Sequence, residues 1–339
     1  MFKDSRITIL LLALALIPIV DLALPDWARL APLMPTVLIF AIVGLGLTVA
    51  TGFTGLLHLG VAAFVAIGAY TFAIATCSSY PFQLPWGVAL ILAGIVGGGS
   101  GALLALPTLR LRGDYLAIVT LGFGEIVQDV IRNLDVITKG TQGINPLPGP
   151  NLGWGILGST TPTSWFYLML FVLAVATFGL ERLLYSPIGR AWLAVRDDEL
   201  AASCMGVNPI SVKMTTFSIS AGLSAIGGAL MASFLGTSGE PSNFDFQVSI
   251  MVLSLIIVGG LGSLAGAIVG ALIMVGVNSI LLAKLADWLA SSQGISPSNV
   301  FLSPGNWKYL IFGLALVLMM RFRSEGFLPA REAKGASRG

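Results

Sequence analysis

Apolar stretches of close to twenty residues recur along almost the whole of this chain, at 7–24, 33–50, 56–76, 86–108, 115–134, 165–183, 213–235, 247–261, 263–283 and 307–320. As an α-helix rising about 1.5 Å per residue, each covers most or all of the roughly 30 Å hydrocarbon core of a bilayer. A helix that is apolar all round has no face to turn to water, so the pattern excludes a soluble fold. The other way to span a bilayer, a closed β-barrel, needs segments of about ten residues with alternating polarity, which these stretches lack. The predicted fold class is all-α, a polytopic integral membrane helical bundle of about ten transmembrane helices. Composition agrees: 56% of the 339 residues are apolar, 10% are charged, and the mean hydropathy is +0.91.

If the N-terminus is cytoplasmic, the connections alternate so that 1–6, 51–55, 109–114, 182–212, 259–266 and 321–339 lie inside. Thirteen of the 18 lysines and arginines then fall inside and five outside, namely Arg29, Arg132, Lys139, Lys284 and Lys308. The positive-inside rule therefore predicts both termini in the cytoplasm. The Gly- and Pro-rich stretch 135–164 becomes an external loop, with Trp154 and Trp165 at the level of the interface. Lys3, Arg6 and the apolar run from Ile7 resemble a signal peptide, but no clean A-x-A site follows Leu24, and an uncleaved first helix is expected. Cys77 and Cys204 fall on opposite sides of the membrane in this topology and are expected to be free. The basic residues are scattered among short loops, so no nucleic-acid partner is expected.

Chemistry of its own is poorly supported. No Gly-Lys dipeptide exists, so no P-loop can hold ATP, and nucleotide energy must come from a partner. His58 is the single histidine, which rules out a multi-His metal site, and the acids form no hydrolytic dyad. We expect no enzyme activity, no cofactor and no metal, with His58 a polar residue at the start of the third helix.

Two glycine clusters, GGGSG at 97–101 and GGLGSLAGAIVG at 259–270, are expected to mark helix ends within the membrane zone. Gly262, Gly266 and Gly270 recur every four residues, a spacing that puts small residues on one face where another helix backbone can approach. Close packing is the simpler reading of this cluster. The alternative is that Gly259-Gly260 breaks the helix and leaves half-helix ends near a substrate path. Within the span that begins near Tyr115, Glu125, Gln128, Asp129 and Arg132 stand at offsets of three, four and seven, hence on one face. A carboxylate near mid-membrane costs several kcal/mol unless it meets a partner or water, so Glu125 is expected to face inward. Two readings stay open: a polar lining of a translocation path, or a hydrogen-bond set that fixes packing, against a second subunit among other partners. Arg132 is expected to pair with Asp129.

The densest charge lies at 190–206, RAWLAVRDDELAASCMG, with five charges in seventeen residues. Asp197 can cap a short helix, Asp198 and Glu199 suit its positive end, and Gly206 can supply the left-handed residue that stops it. Leu200 with Cys204, and Ala201 with Met205, give that helix small apolar contacts at i, i+4 spacing. It is too short to stand alone in water and must dock on something. A solvated loop holding ordinary positive-inside arginines is the plainer alternative.

LAASCMG at 200–206 loosely matches the EAA-x3-G pattern of the cytoplasmic coupling loop of ABC-importer permeases, with the acid displaced to Glu199. The segments 55–70, 108–127, 138–144, 186–230 and 244–271 resemble, in matching order, the M-type permease subunits (LivM) of branched-chain amino-acid ABC transporters. The resemblance covers about 35–330. Departures are His58, where many relatives have a hydroxyl, Val61, where many have His or Tyr, and the polar segment 291–306, which has no counterpart.

The resemblance implies one permease domain over 1–339 in a bacterial inner membrane, with the coupling loop at 182–212 and a cytoplasmic tail at 321–339. It implies a similar H-type (LivH) permease partner, two cytoplasmic ABC ATPase subunits and an external solute-binding protein. Arg196, Asp197, Asp198, Glu199, Ala201, Ala202 and Gly206 would couple to the ATPase. Glu125, Gln128, Gly259, Gly260 and Gly262 would line the path or pack subunits. The implied solute is a branched-chain amino acid; urea, short amides or other small polar solutes are the alternative. An autonomous secondary carrier is a third class, disfavoured by the scarcity of intramembrane charge.

Overall fold

The structure is a computed structural model in which residues 5–21, 29–81, 83–108, 113–150, 161–277, 279, 308–323 and 325–329 are described. Trp154, Arg110, Arg112, the segment 291–306 and the tail beyond 330 lie outside these residues. Among the described residues thirteen α-helices run in order: α1 Ser5–Asp21, α2 Met34–Leu47, α3 Val61–Thr76, α4 Trp86–Thr108, α5 Asp114–Asn133, α6 Asp135–Thr138, α7 Pro162–Leu184, α8 Pro187–Asp197, α9 Glu199–Cys204, α10 Pro209–Leu235, α11 Phe246–Gly259, α12 Leu264–Gly276 and α13 Lys308–Phe322. Among the described residues there is no strand.

Each expected span overlaps a helix among the described residues, which leave out parts of 7–24 and 263–283. Among the described residues five stretches are by themselves long and apolar enough to cross a bilayer: Met34–Phe53, Trp86–Thr108, Pro162–Leu184, Pro209–Leu235 and Pro241–Gly259. The shorter apolar helices Ser5–Pro18, Val61–Thr76, Leu264–Gly276 and Gly313–Phe322 coincide with four further expected spans, and α5 with the last.

The bundle is organised around α10, which packs against α2, α3 and α4. Asn208 caps it, its Oδ1 accepting from Ile210 N at 3.0 Å, and Gly236 ends it at φ 71°. Helices in lipid gain nothing from burying apolar side chains against one another, so close approach of backbones is what holds them together. The sequence of α10 supplies the small residues, among them Ser220, Ala221, Ser224, Ala225, Gly227, Gly228 and Ala229, all buried. A Cβ on Gly228 would lie 1.9 Å from the Val65 carbonyl oxygen of α3.

This packing overturns one expectation. The GGGSG cluster does not end a helix: α4 runs through it from Trp86 to Thr108. Gly97 and Gly101 meet Ala225 and Phe217 of α10, while Gly99 faces open space. The glycines are there for contact, and the helix continues because lipid offers its backbone no other hydrogen-bond partner.

The second cluster does break the helix. α11 stops at Gly259, Gly260 and Gly262 take φ of 125° and 77°, and Ser263 caps α12 by accepting from Gly266 N at 3.0 Å. Gly266 and Gly270 face α11, as their spacing suggested, against the backbones of Gly259 and Leu255. Gly262 lies in the turn and does not share that face. The chain then returns at 325–329: Phe327 N and Leu328 N donate to the Val258 and Gly259 carbonyls at 3.0 and 2.9 Å, satisfying oxygens that the end of α11 leaves open.

Two loops also differ from expectation. Residues 54–60 are not helical, so His58 precedes α3; its ring is buried between Phe64 and Phe217, with centroids at 5.4 and 5.3 Å. The expected external loop is a packed cap in its described part, since Ile144 and Leu147 are buried and Leu147 N donates to the Gly236 carbonyl at 2.9 Å. Its last residues belong to α7, which Thr161 caps.

Candidate functional site

The charged stretch forms two helices. Ser186 caps α8, Pro187 sits at its first turn, and Gly189, Trp192 and Val195 turn inward at a spacing of three. Trp192 is fully buried, stacks on Phe53 at 6.5 Å with an interplanar angle of 7°, and donates from Nε1 to Thr215 Oγ1 at 3.3 Å. Burying an indole removes about 150–250 Å², worth at most about 4–6 kcal/mol, which makes Trp192 the anchor of α8.

Asp198, and not Asp197, is the N-cap of α9: its Oδ1 accepts from Leu200 N and Ala201 N at 2.8 and 3.0 Å. Asp197 instead closes α8, because docking of Trp192 and Val195 carries that helix one residue past the point where the second cap could form. Gly206, at φ 87°, ends α9 as expected, with Gly206 N donating to the Ser203 carbonyl and Val207 N to the Ala202 carbonyl, both at 3.1 Å. These two bonds are the Schellman pattern.

The charges of this stretch divide by role. Arg196 Nη1 donates to the Gly52 carbonyl at 2.8 Å, a cation at the closing end of the helical segment Met34–Phe53. Glu199 pairs with Lys213 of α10 at 2.9 Å, and the lysine side chain is only 5% exposed. Breaking such a pair by removing one partner would strand the other, at a cost of about 3–5 kcal/mol where both are buried and less here, where Glu199 keeps some access to solvent. Both groups therefore bind α8 and α9 to the bundle. What α9 presents outward is mainly apolar: Leu200 is 70% and Met205 86% exposed, with Ala201, Ser203 and Cys204 exposed beside them and Ala202 turned in. The expected Leu200–Cys204 and Ala201–Met205 pairs thus lie on the outer side of the helix.

Gly52 joins two groups that the sequence had kept apart. A Cβ on it would lie 2.7 Å from Gly262 N, so the end of the α2 segment bridges Arg196 on one side and the α11–α12 turn on the other. Gly259, Gly260 and Gly262 accordingly sit at the α8 end of the bundle. Cys77 and Cys204 are both free, the first buried and the second exposed.

The polar set on α5 is divided as well. Gln128 is buried and donates from Nε2 to the Pro241 carbonyl at 3.0 Å. Arg132 meets Asp129 at 3.3 Å, as expected, in an exposed pair worth well under 1 kcal/mol. Glu125 does not face this chain's interior. It is exposed, on a stripe with Ile118 and Ile126, because Leu116, Thr120 and Ile131 are the residues α5 turns toward the bundle.

Lys213, Gly52, Phe53 and Trp192 were not singled out from the sequence. For Lys213 a signal existed: a lysine opening a long apolar span, fourteen residues after Glu199, needs a carboxylate close by. For Gly52 none did, since its role is a backbone carbonyl.

Residues 30–320 match the family described as branched-chain amino acid transport system, permease component. The chain is 38% identical to the high-affinity branched-chain amino acid transport system permease protein LivM of Salmonella typhimurium, over 86% of this chain and 68% of that protein. It is 25% identical to LivH of Escherichia coli, a permease protein of the same description, over 69% of this chain and 79% of the relative. It is 25% identical to the autoinducer 2 import system permease protein LsrC of Yersinia enterocolitica, over 66% of this chain and 62% of the relative. No solved structure matches. An all-helical, apolar chain matched over 30–320 belongs to the branched-chain amino acid transport system permease family.

Proposed function

We propose that this chain is the M-type permease subunit of an ABC importer for branched-chain amino acids. In this reading it crosses a bacterial inner membrane ten times with both termini in the cytoplasm, and it works with an H-type permease, two separate ATPase subunits and an external solute-binding protein. The segment 186–206 is the handle that the ATPases pull. The observation that carries this is the outer face of α9: a six-residue helix, capped at both ends, exposes Leu200 and Met205 while Arg196 and Glu199 wire its base into the bundle.

A mechanism follows from that wiring. Displacement of α9 passes through Glu199–Lys213 to α10, the helix on which α2, α3 and α4 pack, and displacement of α8 passes through Arg196–Gly52 to the α11–α12 turn. Closure of the ATPases then biases the bundle between two arrangements, and access alternates at the interface with the second permease. The chain itself contributes positioning and no catalysis. The orientation is supported by Arg6, Arg182, Arg190, Arg196, Lys213, Arg321 and Arg323 falling on the side that the alternating topology assigns to the cytoplasm.

Co-expression with the neighbouring transport subunits tests the reading. ATPases that co-elute with this chain, and uptake that requires them together with the binding protein, are the expected results. Uptake by the lone chain in liposomes would replace it with an autonomous carrier. The LsrC relative is named for autoinducer 2 import, so similarity to this chain extends beyond amino-acid permeases; the second reading concerns the solute alone, urea, a short amide or another small polar molecule carried by the same machinery. Binding assays on the associated solute-binding protein separate the two.

Glu125 belongs at the interface with the second permease, where the path runs. A carboxylate on an outward stripe of a membrane helix needs a partner. Glu125→Ala should leave the level of this chain in the membrane unchanged. Removing one interhelical hydrogen bond, worth about 0.6–2 kcal/mol, should weaken pairing with the H-type subunit by roughly three- to thirty-fold and lower uptake with it. Unchanged uptake and unchanged pairing together would remove Glu125 from both roles.

A further inference from the structure

At the α8 end, α1, α7, α8 and the α11–α12 turn enclose a cavity of about 310 Å³ that the transport reading leaves unused. Among the described residues three arginines line it, Arg6 of α1 with Arg190 and Arg196 of α8, against one carboxylate, the buried Glu181 of α7. Ser263 and Leu264 bring the positive end of α12 to the same wall. Arg190 spends one donor on the Tyr185 carbonyl at 3.2 Å and Arg196 one on Gly52. A guanidinium has five N–H donors, so each of these two keeps others. Three cations to one anion leave the lining with an excess of two positive charges, which suits a phosphate.

The same two helices carry a second, apolar hollow. Between α1 and α7 lies a groove of about 360 Å³, lined by Leu11, Leu12, Leu170, Phe171 and Ala174 among others. Leu12 is six residues along α1 from Arg6, so the groove begins within about 9 Å of the cationic cavity in the direction of the bilayer centre. Leu12 and Phe171 are 61% and 66% exposed, so it opens sideways to lipid. A cationic pocket at one depth and an apolar slot beneath it on the same helix pair match a molecule that is anionic at its head and hydrocarbon below.

We propose that this cleft binds one anionic phospholipid, its phosphate among Arg6, Arg190 and Arg196 and an acyl chain in the groove between α1 and α7. The site is independent of which solute the transporter carries. It touches α8 through two of its three arginines, so the bound lipid would brace the segment that Trp192 anchors.

Native mass spectrometry of the purified transporter, after exchange into phosphatidylglycerol or phosphatidylcholine nanodiscs, tests this. The expected result is one retained phosphatidylglycerol per copy of this chain, with a preference over phosphatidylcholine on the order of tenfold or more. The double variant Arg6→Gln, Arg190→Gln should cut that preference to about twofold or less, as each basic group near the headgroup is worth roughly fivefold. Ala174→Phe, which fills the groove and leaves every charge in place, should also release the lipid, and it keeps the test informative if the double variant misfolds. Equal retention of both lipids, or a preference that survives both variants, overturns the proposal. Displacement of the lipid by millimolar inorganic phosphate or glycerol phosphate also overturns it, because a site for a soluble anion has no use for the groove.

Discussion

Replacing Leu200 and Met205 together by aspartate should leave the permease folded in the membrane and, on the proposed function, strip the ATPase from it. Both side chains are more than two-thirds exposed, and Met205 closes α9 through its backbone alone, so the fold loses little; exposed side-chain changes usually cost within about 0.5 kcal/mol, or about 1 kcal/mol with a new negative charge at a helix C-terminus. The cap at Asp198, the turn at Gly206 and the Glu199–Lys213 pair are all untouched. The docked state loses far more, since each carboxylate must be desolvated against an apolar surface at a cost of at least about 2 kcal/mol. Two of them lower affinity by roughly a thousandfold or more. The measurement is co-purification of the ATPases alongside uptake, with the level of this chain in the membrane as control. Uptake should fall to background while that level holds. Full uptake by the double aspartate variant would show that α9 docks on nothing, and the handle would have to be sought elsewhere.

The second large effect is on folding. Gly228→Val should prevent the bundle from closing. A Cβ at Gly228 would lie 1.9 Å from the Val65 oxygen and 2.7 Å from its carbonyl carbon, and both are backbone atoms of α3 that no rotamer change can move aside. The two helices would have to separate by more than 1 Å. Because α10 also holds α2 and α4, that displacement disrupts three interfaces at once. Overpacking of a well-packed core costs about 1–3 kcal/mol, and more where backbone is the obstacle, so loss of the folded protein is expected in a structure of ordinary stability. Gly99→Ala is the matched control, since nothing lies within 4 Å of that position. It should melt at or slightly above the wild-type temperature. Gel filtration and thermal melting of the detergent-solubilised chain read both outcomes; a Gly228→Val protein that elutes and melts like wild type would refute the close α3–α10 approach.

These two tests probe features of different legibility. The short helix at 199–204 could be foreseen because its signals are local: an aspartate at its start, a glycine at its end and too little length to stand alone. The cap was misplaced by one residue, from Asp197 to Asp198, because the end of α8 depends on where Trp192 docks. The glycine clusters look alike as strings, yet one breaks a helix and the other packs one. At Gly260 and Gly262 the break is sealed by residues 325–329, some sixty residues away in the chain, whereas at Gly97 and Gly101 the facing surface of α10 favours continuation. Glu125 was expected to face inward because a carboxylate in lipid needs company. The structure turns it outward instead, and no pattern within one chain distinguishes an inward from an outward-facing carboxylate.

Hydropathy alone established that the chain is a helical membrane protein, roughly where its described apolar helices fall, and that its charge gathers at 190–206. These are properties of short segments in contact with lipid or water, so a window of twenty residues contains the whole cause. Only the tertiary structure decided that Arg196 reaches Gly52, that Lys213 holds Glu199, and that α10 forms the centre. In lipid, helices associate through close van der Waals contact and a few hydrogen bonds, and those depend on which surfaces meet.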